Sequence, residues 1–367
     1  MTTRTTSIPI ESVAVSVYRI PTASPEADGT YQWDATTLVA VEAEAGGTRS
    51  LGYTYADTAT GRLVQDLLAG IVTGRNAMDV PGCWSAMVSA IRNLGRPGIS
   101  SMAIAAVDTA LWDLKARLLD LPLVTLLGAA RDAVPVYGSG GFTSYTLDHL
   151  KRQLAGWVEE GIPRVKMKIG THPDQDLDRV RAARAAIGPE TKLMVDANGA
   201  YHEKQALQQA HAFHEFGVVW FEEPVPADDL AGLHLLRDQG PPGMVIAAGE
   251  YGYDLVYFRR MLEAYAVDVL QADASRCAGI TGFLRAAALA EAHNLPLSAH
   301  CAPTLHVAPA CAIAMLWPIE YFYDHVRIEH MLFDGALTPI DGALHPDLTR
   351  PGLGVELKRA DAARFAV

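Results

Sequence analysis

The sequence lacks a long apolar run, a paired-cysteine motif and an excess of basic residues. No uninterrupted apolar stretch reaches the roughly 20 residues that a membrane helix needs. The beginning, MTTRTTSIPIESVAV, has no apolar segment typical of a signal peptide. The four cysteines have no CxxC spacing and are expected to be buried thiols in a reducing compartment: Cys83, Cys277, Cys301 and Cys311. Together these features predict a cytoplasmic protein with no membrane partner.

The charge balance also excludes classes of partner. There are 30 basic and 42 acidic residues, which gives a net charge of −12. A field of this sign disfavours nucleic acids and anionic membrane surfaces. It does not disfavour small anions, because a bound cation can reverse the field inside a cleft. Phosphate-binding glycine motifs are absent too, and GSGG at Gly138 to Gly141 is interpreted as a turn or a substrate-approach loop.

The first third of the chain has the pattern of an α+β domain. ESVAVSVYRI, TTLVAVEAEA and SLGYTYA alternate apolar and polar residues, which predicts an antiparallel meander. The polar stretch PTASPEADGTYQWDA between the first two is predicted to be a turn-rich loop. Three helical segments follow. We assign residues 1–130 to this domain.

The pattern changes after residue 130. Short apolar runs alternate with longer helical segments, which predicts repeated β/α units and a parallel sheet. Seven or eight such units in roughly 200 residues correspond to a (β/α) barrel. We assign residues 131–335 to this barrel. The fold class is therefore α/β.

One ionisable residue closes each of six successive apolar runs. Subtraction gives intervals of 28, 26, 28, 23 and 27 along this series: Lys168, Asp196, Glu222, Glu250, Asp273 and His300. A barrel of about 250 residues with eight units repeats every 31 residues or so. Barrel enzymes build their sites at the carboxyl ends of the strands, so these side chains are expected to converge.

Three of these residues, Asp196, Glu222 and Glu250, are carboxylates on successive strands. Three carboxylates so close together require a cation between them, and hard oxygen ligands suit Mg²⁺, with Mn²⁺ as the alternative. Each has a plainer interpretation. Asp196 could be a turn residue, Glu222 or its neighbour Glu223 a solvated loop residue, and Glu250 a helix cap.

The stretch RVKMKIG alternates in the manner of a strand, which places Lys166 and Lys168 on one face. Lysines are almost never buried unpaired, so this face is expected to point at the carboxylates. A lysine beside a divalent cation has a lowered pKa and can serve as a general base. The alternative for each lysine is a structural ammonium that only balances charge.

His300 and Asp273 close neighbouring strands, and an aspartate that fixes a histidine tautomer forms a base-orienting pair. Glu320, with Glu329 as a rival, could donate a hydrogen bond to an oxyanion if protonated. A divalent metal flanked by two bases suits abstraction of the proton α to a carboxylate.

The chain resembles the mandelate racemase subgroup of the enolase superfamily over almost its whole length. The motifs that carry the resemblance are AVDTALWDLKARLLDLPLVTLLG, VKMKIG, VDAN, FEEP, GE, QADASRCAGITG, SAH and GVEL. The resemblance implies a modified TIM barrel, (β/α)₇β, with an N-terminal α+β capping domain to which residues 336–367 return. Two features distinguish the chain from the muconate cycloisomerase subgroup. The third metal ligand is a glutamate, and a His–Asp dyad is present where that subgroup would have a lysine on the sixth strand, near Arg276.

The resemblance also implies roles for individual residues. Asp196, Glu222 and Glu250 would bind Mg²⁺, Lys168 and the His300–Asp273 dyad would be the two bases, Lys166 would bind the substrate carboxylate, and Glu320 would donate to the enolate. Cap-domain loops would contact the substrate. We expect Tyr31 and Trp33 in the loop 22–37, Tyr53 near Tyr55, and Asn198 of the barrel to be substrate-binding. The cap aromatics could instead pack the cap on the barrel.

The leading functional hypothesis is dehydration of an acid sugar, an aldonate or aldarate, to a 2-keto-3-deoxy acid in carbohydrate catabolism. The alternative is a racemase or epimerase of an α-hydroxy acid, which needs the same residues. A non-catalytic, metal-stabilised binding protein is a remote alternative. A metal-dependent hydrolase on a plain barrel would want an HxH pair, and AVPVYGSGG has no histidine. The resemblance further implies a homo-oligomer, an octamer or a dimer.

Overall fold

The computed structural model describes residues 7–367, so the beginning of the predicted cap, residues 1–6, lies outside the described residues. Two hydrophobic cores dominate the described chain, one in the N-terminal domain and a larger one around the barrel. Among residues 7–367, no helix combines the length and the apolar character that crossing a membrane requires.

The N-terminal domain is an antiparallel sheet packed on helices. Its central strand pairs with the other three strands, and apolar residues on its inner face, such as Val41, pack against Ile104 and Val107. The elements are β1 (Ser12–Ala27), β2 (Gln32–Ala45), β3 (Thr48–Arg49), β4 (Gly52–Tyr55), α1 (Thr58–Leu63), a π-helical segment (Val64–Leu68), α2 (Ala69–Val72), α3 (Val80–Ala90), α4 (Ile99–Leu118) and α5 (Leu123–Leu127).

The stretch predicted to be a loop between the first two strands is largely a long hairpin. The β1–β2 ladder runs to Glu26↔Trp33 and Ala27↔Gln32, with a register shift that accommodates residues 22–25 as a bulge. The tip turns at Asp28, whose Oδ1 accepts hydrogen bonds from the backbone N–H groups of Thr30 (2.7 Å) and Tyr31 (2.8 Å). The prediction was wrong here because the bulge lets the proline-containing stretch remain in the sheet.

The second domain is a nearly closed parallel barrel of eight strands with seven intervening helices. Each strand pairs with the next along the chain through the seventh, and the eighth pairs with the first. The elements are β5 (Val134–Gly140), α6 (Leu147–Glu159), β6 (Arg164–Lys168), α7 (Asp176–Ile187), β7 (Lys192–Asp196), α8 (Glu203–His214), β8 (Val218–Glu222), α9 (Leu230–Gln239), β9 (Val245–Ala248), α10 (Leu255–Glu263), β10 (Val269–Ala272), α11 (Gly279–Ala292), β11 (Leu297–Ala299), α12 (Pro303–Ala312) and β12 (Ile319–Phe322). The predicted architecture is confirmed.

The barrel is incomplete at one seam. Strands β11 and β12 form no ladder, and a bridge between Leu297 and Leu316 lies between them. Elsewhere the register brings the predicted residues level: Lys168 pairs with Asp196, and Asp196 pairs with Glu222. Charged side chains on three neighbouring strands therefore end at the same height.

The C-terminal segment contacts the N-terminal domain through its first helix and again in its last part. It contains α13 (Tyr323–Leu332), β13 (Phe333–Asp334), β14 (Ala343–Leu344), β15 (Glu356–Leu357), α14 (Arg359–Ala362) and a 3₁₀ turn (Ala363–Phe365). Strand β14 pairs with β5 of the barrel, so the beginning of the predicted 336–367 segment contacts the barrel. Contacts to the cap follow, including the pair Arg359–Glu42 and a hydrogen bond of 3.1 Å from Val367 N to Val17 O.

Candidate active site

Three buried carboxylates meet at the carboxyl ends of neighbouring strands. Asp196 and Glu222 are the last residues of β7 and β8, and Glu250 follows β9 by two positions. One oxygen from each lies within 4.8 Å of those of the other two. The structure therefore brings together the three residues that the strand-end spacing selected.

The two lysines of β6 point at this cluster. Lys166 Nζ lies 2.6 Å from Glu222 Oε1 and 2.9 Å from Glu320 Oε1, and Lys168 Nζ lies 2.5 Å from Asp196 Oδ2. Burial lowers the pKa of both lysines, but the carboxylates outweigh it, so both pKa values are raised. The predicted lowering applies to a lysine beside a bound cation and stays a prediction; without the cation, Asp196 is the strongest charge acting on Lys168. A cation among the carboxylates would offset that attraction.

The buried carboxylates repel one another, and a cation between them would reduce this repulsion. Burial, followed by repulsion from Asp196, raises the pKa of Glu222 to about 8. Oε2 of Glu250 is buried and has no hydrogen-bond partner. Trp220 Nε1 donates to Glu222 Oε2 over 2.9 Å, which fixes that side chain. A set of hard oxygen donors with one orphaned buried oxygen fits a divalent cation such as Mg²⁺.

A histidine–aspartate pair lies on the next two strands. His300 Nδ1 lies 2.8 Å from Asp273 Oδ2, and Asp273 Oδ1 accepts two further hydrogen bonds of 2.7 Å from Ser275. Burial lowers the pKa of His300, but Glu250, Glu320 and Asp273 raise it above its ordinary value. His300 Nε2 lies 3.3 Å from Glu250 Oε2. The imidazole is thus aimed at the carboxylate cluster in a form suited to donating a proton.

Glu320, in β12, completes the cluster as a hydrogen-bond acceptor. Oε1 accepts from Ser139 Oγ over 2.6 Å, and Oε2 accepts from the backbone N–H of Cys301 over 2.9 Å. Burial raises the pKa of Glu320, but Lys166 and then His300 hold it well below the ordinary value. The predicted donor role would need protonation, which the nearby ammonium of Lys166 opposes.

The rival residue, Glu329, lies elsewhere. Its Oε1 accepts a hydrogen bond of 2.8 Å from the hydroxyl of Tyr53, and its Oε2 accepts one of 3.1 Å from Thr304 N. Tyr53 is itself fully buried and does not line the cavity above the cluster. The tyrosine of β4 that does so is Tyr55, two residues further along the strand. The structure thus places Tyr55, and not Tyr53, at the cavity.

A cavity of about 450 Å³ lies between the cap and the barrel mouth. Of the predicted substrate-binding residues, Asn198, Tyr31 and Trp33 line it. Trp33 is fixed by a hydrogen bond of 3.0 Å from Nε1 to Glu26 Oε2, whereas Tyr31 is 70% exposed. The other polar lining residues include Lys168, Glu250, Asp273, His300, Asp28, Thr30, Thr36, Thr37, Asp57 and Ser275.

Sequence reasoning missed Arg276, Tyr251 and His325, which also line the cavity. Arg276 Nη1 lies 3.2 Å from Glu250 Oε1. His325 stacks on Tyr55 with ring centroids 3.4 Å apart, and burial, followed by repulsion from His300, lowers its pKa to about 3. Arg276 and Tyr251 each follow a predicted site residue closely, which is a usable signal. His325 lies on α13 and has no comparable signal.

The family models cover most of the chain. The model "Enolase C-terminal domain-like" matches residues 149–362, and "Mandelate racemase / muconate lactonizing enzyme, N-terminal domain" matches residues 12–128. Among curated relatives, a 3,6-anhydro-alpha-L-galactonate cycloisomerase of Streptomyces coelicolor is 34% identical over 98% of this chain and 99% of its own. An L-talarate/galactarate dehydratase of Salmonella typhimurium is 32% identical over 95% and 89%.

Solved structures agree with these matches. A mandelate racemase/muconate lactonizing enzyme-like protein from Rubrobacter xylanophilus is 54% identical, with a TM-score of 0.96 and coverage of 98% of this chain and 100% of that one. A Streptomyces coelicolor racemase with bound magnesium is 33% identical, with a TM-score of 0.92 and coverage of 98% and 100%. An L-talarate dehydratase of a Polaromonas species, complexed with Mg and L-glucarate, is 33% identical, with a TM-score of 0.89 and coverage of 98% of both chains. The chain belongs to the enolase superfamily, in its mandelate racemase/muconate lactonizing enzyme subgroup.

Proposed function

We propose that this protein is a Mg²⁺-dependent dehydratase that converts an acid sugar to a 2-keto-3-deoxy acid. The observation that carries the proposal is the placement of two proton-transfer groups on one carboxylate cluster. Lys168 contacts Asp196, and His300 contacts Glu250. A substrate carboxylate held at this cluster would therefore have a titratable side chain on either side of its α-carbon.

Asp196, Glu222 and Glu250 would hold Mg²⁺, with Mn²⁺ as the alternative. When bound, the metal would stabilise the negative charge that develops on the substrate carboxylate after loss of the α-proton. The relatives that are solved with bound Mg support this choice of metal. The orphaned Oε2 of Glu250 supports it independently.

Each of three side chains would have a separate role in the reaction. Lys166 would hold one carboxylate oxygen of the substrate, and Lys168 would take the C2 proton. The electron pair of the C2–H bond becomes the C2–C3 double bond while the C3–O bond breaks. His300 would give its proton to the departing hydroxyl, which leaves as water, and the enol becomes the 2-keto acid. The raised pKa of His300 supports this role, because it favours the imidazolium, which is the proton-donating form.

The character of the cavity supports a polyhydroxy substrate. Its lining includes the hydroxyl groups of Thr30, Thr36 and Ser275 and the carboxyl group of Asp57. Hydroxyl and carboxyl groups have spare hydrogen-bonding capacity that sugar hydroxyls can use and an aryl ring cannot. The guanidinium of Arg276 is suited to a second carboxylate, which would favour an aldarate.

A second candidate is isomerisation. The same two side chains could deliver the proton to the other face of the enolate, as in a racemase or epimerase. The 34% identity to a cycloisomerase adds a related possibility, in which an internal oxygen of the substrate is the leaving group. The substrate decides between these outcomes, since all of them use the same proton transfers.

The test is an NMR screen of the Mg²⁺-loaded protein in D₂O against aldonates, aldarates, anhydro-aldonates and α-hydroxy acids. A 2-keto-3-deoxy product would support the dehydratase and identify its substrate. Exchange of the α-proton without elimination would favour a racemase or epimerase, and opening of an internal ether would favour a cycloisomerase. Lys168→Met should abolish whichever reaction is seen, whereas Lys192→Met, at an exposed lysine on the neighbouring strand, should leave it intact.

The predicted homo-oligomer, an octamer or a dimer, and the cytoplasmic location stay predictions. Light scattering after gel filtration would test the first.

A further inference from the structure

A second cluster of metal-binding atoms lies beside the carboxylate cluster. It consists of His300, Cys301 and Glu320, all buried, with one ligand atom from each within 4.8 Å of the others. Its composition differs from that of the first cluster, because it includes a thiol and an imidazole. These soft and borderline ligands suit Zn²⁺ rather than Mg²⁺.

The distances from His300 Nε2 to the other three atoms are close to those around a tetrahedral ion. His300 Nε2 lies 3.2 Å from Cys301 Sγ, 3.7 Å from Glu320 Oε2 and 3.3 Å from Glu250 Oε2. A tetrahedral Zn²⁺ with bonds of about 2.0–2.3 Å separates its ligand atoms by roughly 3.3–3.8 Å. Glu250 Oε2 is buried and has no hydrogen-bond partner, so it is available as a fourth ligand.

The surroundings orient the ligands for this purpose. Asp273 holds Nδ1 of His300, which leaves Nε2 directed away from that bond. A carboxylate behind a metal-binding histidine is a common supporting arrangement. The backbone N–H of Cys301 donates to Glu320 Oε2, which ties two of the ligands together.

The backbone at Cys301 is also unusual. Cys301 and Ala302 have φ angles of 52° and 39°. Two successive residues in the left-handed region cost of order 1–3 kcal/mol each, and such conformations cluster at functional sites. The turn is supported from behind, because His306 Nδ1 lies 2.9 Å from Cys301 O. Of the four cysteines, Cys301 is the one that lines the active-site cavity.

We propose that His300 Nε2, Cys301 Sγ, Glu320 and Glu250 form an inhibitory site for a thiophilic divalent cation, for which Zn²⁺ is the probe. Binding forms Zn–S and Zn–N bonds and releases the thiol proton, together with any proton on His300 Nε2, to solvent. The ion removes the histidine from proton transfer and takes Glu250 from the carboxylate cluster. The proposal concerns metal binding and holds whatever substrate the enzyme uses.

X-ray absorption at the zinc edge tests the ligand set without reference to activity. The full-length protein is saturated with Mg²⁺ and then given one equivalent of Zn²⁺. We expect one sulfur neighbour at about 2.3 Å together with nitrogen or oxygen neighbours. A shell of oxygen and nitrogen alone would overturn the proposal, because it would place the Zn²⁺ among the carboxylates or on the surface.

Matched cysteine variants locate the sulfur. Cys301→Ser should lose the sulfur neighbour and bind Zn²⁺ at least about 10-fold more weakly, since loss of a supporting partner alone costs about 10–100-fold. Cys311→Ser, at another buried cysteine, should keep both the sulfur neighbour and the wild-type affinity for Zn²⁺. Loss of the sulfur in Cys311→Ser, or its retention in Cys301→Ser, would overturn the assignment.

An anomalous difference map of wild-type crystals with Zn²⁺ needs no variant, so it remains decisive if Cys301→Ser does not fold. A peak within bonding distance of His300 Nε2 and Cys301 Sγ would support the site. A peak confined to Asp196 and Glu222 would overturn it. Once a substrate is known, Zn²⁺ should inhibit the wild-type enzyme and Cys311→Ser at concentrations at least tenfold below those needed for Cys301→Ser.

Discussion

His300 Nδ1 and Asp273 Oδ2 lie 2.8 Å apart, and both side chains are buried at the carboxyl ends of adjacent barrel strands. The contact fixes one ring nitrogen, so the other is presented to Glu250. The aspartate pKa is held below its ordinary range, because its hydrogen bond from His300 and the histidine charge outweigh the effect of burial. In the proposed reaction the pair would therefore exchange protons only through Nε2.

Asp273→Asn should lower kcat by about 10²–10⁴-fold, because the amide no longer fixes the tautomer or stabilises the imidazolium. KM should change less, since Asp273 orients a side chain and does not itself hold substrate in the proposed reaction. Steady-state kinetics on the substrate found in the screen measures both values. Asp178→Asn, at an exposed aspartate of α7, is the control. An unchanged kcat in Asp273→Asn would contradict the proposed role of the pair.

Lys166→Met should lower the free energy of unfolding by about 3–5 kcal/mol in metal-free buffer, because it leaves buried carboxylates without their cation. Added Mg²⁺ should recover part of this loss. Urea unfolding with and without Mg²⁺ measures the effect. Lys192→Met is the matched control, because Lys192 is exposed at the start of β7. Equal losses in the two variants would show that the buried charge cluster is not the cause.

Mg²⁺ should stabilise the wild-type protein by about 2.7 kcal/mol at 100 times its Kd, by mass action on the folded state. Asp196→Asn should abolish this increment, whereas Asp178→Asn should keep it. Calorimetric titration and thermal unfolding give the Kd and the stability change. A Mg²⁺ increment that persists in Asp196→Asn would place the cation elsewhere.

Glu26 should make stability depend on pH. Burial, followed by repulsion from Asp324, raises the pKa of Glu26 to about 8. The folded protein then holds a proton that the unfolded chain has released, so the stability contributed by this proton is complete below about pH 4 and is lost as the pH rises to 8. Glu26→Gln should therefore be more stable than wild type at pH 8 and similar to it at pH 4.5.

Urea unfolding of Glu26→Gln and wild type at both pH values checks this prediction. A glutamine can still accept the hydrogen bond from Trp33 Nε1, so the hairpin contact is kept. Glu159→Gln, at an exposed glutamate in α6, should show no such pH dependence. A stability difference between Glu26→Gln and wild type that does not grow with pH would count against the raised pKa.

Gly29→Ala should weaken catalysis without unfolding the barrel. A Cβ at this position would lie 2.1 Å from the carbonyl oxygen of Ala197, so the hairpin tip would have to move away from the barrel mouth. Displacing the cavity wall by about 1 Å can reduce kcat/KM by about 10²-fold. Gly70→Ala, with open space around its Cβ in α2, should be neutral. Wild-type kcat/KM in Gly29→Ala would show that the tip does not shape the site.

The positions of the strand-end residues could be predicted, because strand geometry alone determines where their side chains lie. Alternation along β6 places Lys166 and Lys168 on one face, and the regular spacing of the β/α units places Asp196 and Glu222 level with them. The raised pKa of Lys168 in the absence of a cation could not be predicted, because it depends on the 2.5 Å contact with Asp196.

Residues that depend on packing between elements escaped prediction. Tyr53 and Tyr55 lie on the same face of β4, and the distance of each from the barrel mouth decides which one lines the cavity. His325 reaches the cavity from α13, which packs beneath the cap. No local sequence pattern indicates that arrangement. The hairpin of residues 22–37 has the composition of a loop, and its ladder depends on a bulge whose position the composition does not reveal.

The hydrogen bond between Val367 and Val17 joins positions that are 350 apart by subtraction. The edge of the cap sheet is therefore completed by a segment that follows the entire barrel in the chain. Contacts of such long sequence separation form late and slow the search for the native state. During synthesis, strand β1 would leave the ribosome long before its C-terminal neighbour exists, and its edge would be open to pairing with other chains in that interval. Production of this protein should therefore be sensitive to translation rate and chaperone supply.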